Sequence, residues 1–106
     1  MEKIYLAIPY SGMAEHSFKT ANKVAAELMN LGFIVFSPIS HSHPIASQCS
    51  VPGDWSYWEK FDTEFLKWCD KVIVVKLKGW EKSKGVAAEI SIANDLNKPV
   101  EYLDWR

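Results

Sequence analysis

Residues 71–91 read KVIVVKLKGWEKSKGVAAEIS, and the parsing of that stretch decides the fold. Its first five residues, KVIVV, are a short apolar run rich in β-branched side chains, the pattern of a strand buried on both faces. Residues 78–82 make a polar turn. Ser83 then opens a helix predicted to run to about Leu96. A strand covered on both faces and leading into a helix is half of a parallel βαβ unit.

The pattern recurs along the chain. Residues 3–8 (KIYLAI) form a first buried strand, bounded by Pro9. From about residue 14 to 31, Phe18, Ala21, Ala25 and Leu28 recur at helical spacing, with Val24 and Leu31 alongside and Gly32 as the stop. Residues 33–36 predict a second buried strand. Residues 37–53 hold three prolines and many Ser and His residues, the composition of a long loop. Asp54 is placed to cap a helix running to about Cys69. Residues 99–102 form a short last strand. The order βαβαβαβ predicts a small doubly wound (Rossmann/flavodoxin-like) α/β domain, with a parallel sheet of four strands flanked by three helices. At 106 residues the chain is expected to be a single domain spanning 1–106.

Bulk properties narrow the function classes. A formal net charge of −1 with 24% charged residues gives no basic surface for a nucleic acid polymer or an anionic membrane. There is no signal-like leader and no apolar run of spanning length, so a cytoplasmic protein is expected. Cys49 and Cys69 make neither a disulfide framework nor a zinc pattern.

In such a sheet ligands sit outside the carboxyl ends of the strands. That edge collects Pro9, Tyr10, Ser11 and Gly12 after the first strand, residues 37–44 after the second, and residues 77–83 after the third. Two carboxylates stand out beside it. On a helical wheel Asp62 falls within the face made by Trp55, Trp58, Phe65, Leu66 and Cys69. Glu89 falls within the face made by Val86, Ile90, Ala93 and Leu96. An ionised carboxylate in an apolar stripe costs several kcal/mol unless paired or hydrogen-bonded. The helix dipole explains neither, since Glu89 lies six residues past Ser83 and Asp62 two turns into its helix. Two such groups in one small domain point to a site. Tyr5, on the first strand, needs a partner for a buried hydroxyl, and either Glu89 or Asp62 can supply it.

Ser83-Lys84-Gly85 opens a helix, where free N–H groups suit a phosphate; an ordinary N-cap fits the residues as well. His41 and His43 lack a third ligand with suitable spacing, so no metal and no cofactor is expected, and His43 is read as a pocket histidine that hydrogen-bonds a ligand. Trp80, in the polar turn, is the better candidate to stack on a flat ring, while Trp55 and Trp58 fit either a stacking wall or the core.

With these residues in place, the chain resembles the nucleoside 2-deoxyribosyltransferase-like superfamily, which includes 2′-deoxynucleoside 5′-monophosphate N-glycosidases. It is most similar to a small bacterial and phage branch, domain of unknown function 1937. The stretches that carry the likeness are IYLAIPYSG (4–12), VFSPISHSHPI (35–45), DTEFLKWCD (62–70) and GWEKSKGVAAEI (79–90), spread over nearly the whole chain. The resemblance implies that Glu89 is the nucleophile on C1′ of the sugar, that Tyr5 holds that carboxylate, and that Asp62 assists departure of the base. Ser83 takes the place that is typically Asp in the transferases and Ser, touching a 5′-phosphate, in the monophosphate hydrolases. Two departures accompany it. The first loop, Pro9-Tyr10-Ser11-Gly12, has no Arg. Relatives that complete their site from a neighbouring subunit do so with a segment after the last core strand, and this chain stops at Arg106.

The expected chemistry is cleavage or transfer of an N-glycosidic bond on a nucleoside or its 5′-monophosphate. A carboxylate at C1′ stabilises or traps the oxocarbenium-like centre, and a second carboxyl group assists the base. A retaining site would hold the two about 5–5.5 Å apart. Hydrolysis and transfer both remain open, and the competing class is a non-catalytic nucleotide-binding module, a sensor or sponge. A flavodoxin or phosphoacceptor reading lacks the acidic cluster and the flavin phosphate loop. Expected partners are a small-molecule nucleoside or nucleotide and a second copy of the chain, in a homodimer or higher homo-oligomer.

Overall fold

The computed structural model describes residues 1–51 and 55–105. Its elements run β1 (Lys3–Ala7), α1 (Ala14–Asn30), β2 (Ile34–Phe36), α2 (Pro38–Gln48), α3 (Trp55–Trp68), β3 (Lys71–Lys76), a 3₁₀ turn (Trp80–Lys82), α4 (Lys84–Asp95) and β4 (Val100–Asp104). The four strands form one parallel sheet in the order β2-β1-β3-β4. Strand order therefore reverses between β1 and β3, which opens a crevice at their carboxyl ends.

Period-two alternation divides the core. Ile4, Leu6, Ile8, Ile73 and Val75 face α1 and pack with Ala21, Val24 and Ala25. Tyr5, Ala7, Val72 and Val74 face the opposite layer and pack with Leu66 and Cys69 at α3 and with Val86 and Ala93 of α4. Both central strands are thus covered on both faces, as their unbroken apolar runs require. Phe36 stacks on Phe65, with ring centroids 3.7 Å apart and planes within 5°, and that contact ties the edge strand to α3.

Two helix ends show why the crossovers turn where they do. At the end of α1, Gly32 takes φ 100°. Its N–H donates to Met29 O, and the N–H of Phe33 donates to Leu28 O, the paired bonds of a Schellman stop. The end of α4 has the same pair, Asn97 to Asn94 O and Lys98 to Ala93 O, with Asn97 at φ 58°.

Two expectations are corrected. The stretch predicted as a loop contains a fourth helix, α2. Ser37 caps it by accepting from the Ser40 N–H, and Pro38 fills the first helical position, where a missing N–H costs nothing. Pro44 lies inside the helix. The second strand is an edge strand, Ile34–Phe36, with Ile34 42% exposed while Phe33, Val35 and Phe36 pack against the layers. The cap expected from Asp54 lies outside the described residues. Among the described residues no helix is long and apolar enough to cross a membrane.

Candidate active site

Tyr5 sits mid-strand on β1 with no exposed surface. Its side chain rises from the sheet towards α3 and α4, because position 5 belongs to the face opposite Ile4 and Leu6. There the hydroxyl donates to Oε2 of Glu89 on α4. Glu89 is 7% exposed and Asp62 of α3 is 6% exposed. Oδ1 of Asp62 is a buried acceptor with no partner among the described residues. Such an oxygen is costly to leave alone and calls for a proton or a ligand.

The electrostatics follow from burial. Desolvation pushes Glu89 up to about 8, with the nearby charge of Asp62 adding to the rise and the Tyr5 hydrogen bond opposing it. Desolvation likewise raises Asp62 to about 6, again opposed by the Tyr5 hydroxyl. The phenol itself is raised well above its usual range, by burial first and then by the two carboxylates. Tyr5 is thus a fixed donor beneath two acids that titrate as a pair. Between the two steps the pair carries one negative charge and one proton, the inventory that acid-assisted departure of a leaving group requires.

These carboxyls open onto a cavity of about 430 Å³. Tyr10 and Ser11 reach it from the β1–α1 turn, Ser42 and His43 from α2, and Lys84 and Gly85 from the start of α4. Pro38, Ile39, Ala46, Val51 and Trp58 supply apolar wall. The volume falls in the ordinary range for a small-molecule site.

Of the residues singled out in the sequence, the fold brings Tyr10, Ser11, His43, Asp62, Gly85 and Glu89 to this one cavity, with Tyr5 beneath. Ser83 stands just outside the lining as the N-cap of α4, its Oγ accepting from the Val86 N–H at 3.2 Å. Pro9 is buried, and its carbonyl accepts from Ser17 Oγ. Gly12 takes φ 80° in the turn between β1 and α1. Trp80 is not part of the lining. It follows Gly79 into the 3₁₀ turn and packs against Tyr102 of β4, ring centroids 5.5 Å apart. Trp58 provides the indole at the cavity instead. The two histidines of α2 diverge: His41 stacks on Phe61, while His43 contacts Tyr10 and Phe18. Among the described residues no three His, Cys, Asp or Glu side chains gather as a metal site.

Sequence reasoning missed two contributions. α2 carries much of the apolar wall, and its prolines hid it. Lys84 lines the cavity and is the one Lys or Arg among the described lining residues; its place one residue after the cap Ser83 was the available signal.

Comparison with known proteins identifies the family and the fold. A family model described as "Domain of unknown function (DUF1937)" matches residues 2–104. A comparison with curated proteins found no match. Among solved structures, a 2-deoxyribosyltransferase from the psychrotolerant bacterium Bacillus psychrosaccharolyticus is similar at 30% identity and TM-score 0.73, over 96% of this chain and 72% of that one. A 2-desoxiribosyltransferase from Leishmania mexicana superposes at TM-score 0.69 with 17% identity, over 98% of this chain and 65% of that one, and so shares the fold.

Proposed function

The chain belongs to the DUF1937 family and has a nucleoside 2-deoxyribosyltransferase-like fold, and from that premise we propose that it breaks the N-glycosidic bond of a 2′-deoxynucleoside or its 5′-monophosphate with Glu89 as nucleophile. The observation that carries the reading is the hydrogen bond from the buried Tyr5 hydroxyl to Glu89, with the partnerless Oδ1 of Asp62 in the same cavity.

In the first step a Glu89 oxygen forms a bond to C1′ as the bond from C1′ to the base nitrogen breaks. The departing electron pair goes to the base, which takes a proton at nitrogen from Asp62 or through a hydrogen bond to it. The Tyr5 hydroxyl favours the ionised form of Glu89 and holds the reacting oxygen. In the second step water displaces the ester, giving the free sugar and restoring both carboxyl groups, or a second base does so and gives a new nucleoside. Burial alone leaves the pair's single proton on Glu89, at about 8 against about 6 for Asp62, so attack requires that proton to pass to Asp62. Positive charge developing at C1′ favours this arrangement, since it stabilises the neighbouring Glu89 anion. Lys84 and the free N–H groups opening α4 suit a 5′-phosphate.

The second reading is a non-catalytic binding module: burial raises Glu89 to about 8, so that near neutral pH it is mostly protonated and donates hydrogen bonds rather than attacking. The test separates the two. Wild type is incubated with a panel of 2′-deoxynucleosides and their 5′-monophosphates, and free base is measured by chromatography. Wild type is expected to release base, and Glu89→Gln and Glu89→Ala to lose at least a thousandfold in rate, the order associated with removing a catalytic group (roughly 10³ or more). Unchanged turnover in both variants ends the nucleophile assignment. Tight binding with no release by wild type makes the module the correct reading.

A further inference from the structure

Glu15, His43 and Tyr10 form a hydrogen-bonded chain at one end of the cavity. His43 Nε2 lies 3.2 Å from Glu15 Oε2 on α1. Its Nδ1 lies 2.7 Å from the Tyr10 hydroxyl. The ring packs on Phe18, centroids 4.6 Å apart, and its side chain is only 12% exposed. A carboxylate can only accept, so Nε2 carries the hydrogen. In the neutral ring Nδ1 then holds a lone pair, and Tyr10 is the donor to it. While the ring is neutral, the phenolic proton is committed to the imidazole, and Tyr10 faces the cavity it lines with oxygen lone pairs alone. Burial, and then the charge of Glu15, raise Tyr10, which keeps that proton on the phenol.

The carboxyl and ammonium groups of the lining, Asp62, Lys84 and Glu89, stand on α3 and α4, whereas α2 contributes the apolar Pro38, Ile39 and Ala46 beside Ser42 and His43. A flat heteroaromatic ring loses least by settling on the α2 side, and there its edge meets Tyr10. Building on the nucleobase ligand read above, we propose that the Glu15–His43–Tyr10 chain makes this end of the cavity a hydrogen-bond acceptor that selects bases bearing an exocyclic amino group over bases bearing a carbonyl at the same ring position. Tyr10 touches the base. Glu15 is a positioning residue that fixes the tautomer of His43.

Free bases test this, because they have no glycosidic bond to break. Affinities of wild type for cytosine against uracil, and for adenine against hypoxanthine, are measured by calorimetric titration. The amino-bearing member of each pair is expected to bind about tenfold more tightly, the effect of one hydrogen bond. In Tyr10→Phe the ratio should fall to near one. In Glu15→Gln, whose amide can donate as well as accept, it should fall towards one while far-ultraviolet dichroism stays that of wild type. A merely structural role for Glu15 would weaken both bases alike and leave the ratio where it was. Equal affinities in wild type, a preference for the carbonyl bases, a ratio unmoved in Tyr10→Phe, or no binding of any of the four at millimolar concentration overturns the proposal. Base release from the matching deoxynucleosides is scored separately. Release without amino preference defeats this selection and leaves the glycosidase reading intact, whereas amino preference without release does the reverse.

Discussion

Glu89 keeps its proton in the folded chain at pH values where an exposed glutamate has lost it. Its value rises from 4.5 to about 8 through burial, so the native state binds more protons than the unfolded one across that interval. Stability that depends on the held proton is fully present below about pH 4.5. It is lost as pH climbs through about 8. Glu89→Gln has no proton to release, so its stability relative to wild type should climb between pH 5 and pH 9. The rise should be on the order of 4 kcal/mol, from the size of the shift. Thermal unfolding of both proteins across that range checks it. A stability difference that does not change with pH would show that the carboxyl is not held neutral by burial.

At the scale of elements, the turns into the two Schellman stops explain why α1 and α4 end where they do. Asn97 holds a left-handed conformation, φ 58°, that most side chains resist. Asn97→Ala is expected to cost about 1 kcal/mol and Asn97→Gly to cost nothing, judged by urea midpoints at constant slope. Equal midpoints for Ala and Asn would contradict the strain argument. The same elements show what the sequence exposes and what it conceals. β1 and β3 are legible because burial on both faces demands unbroken β-branched runs. Glu89 and Asp62 are legible because a charge in an apolar stripe has no local excuse. α2 is concealed because Pro38 and Pro44 count against a helix in any compositional reading, while the capping that rescues it (Ser37 to Ser40, with Pro38 in the one position that needs no N–H) is a matter of position rather than content. Trp80 and Trp58 exchanged places for a related reason. Whether Trp80 meets the cavity depends on which way the 3₁₀ turn folds, and there its ring packs against Tyr102 of β4, 22 residues further along.

For the molecule as a whole, the reversal of strand order between β1 and β3 sets the crevice, and α2, α3 and α4 wall it. The outer flank differs. β2 is a short edge, and Met29 and Leu31 at the end of α1 expose 58% and 74% of their surface beside the half-exposed Ile34. An edge strand flanked by apolar side chains favours self-association. Sedimentation at micromolar concentration is therefore expected to find a homodimer or larger, and a monomer at every concentration would refute it. The hydrogen bond between Tyr5 and Glu89 joins residues 84 apart. Closing so long a loop is a late loss of chain entropy, repaid only when β3 and α4 have docked on β1. No early folding intermediate can therefore possess the site. A chain in which α4 has not yet docked on the sheet lacks the site, so the pocket's chemistry begins only once that docking is complete.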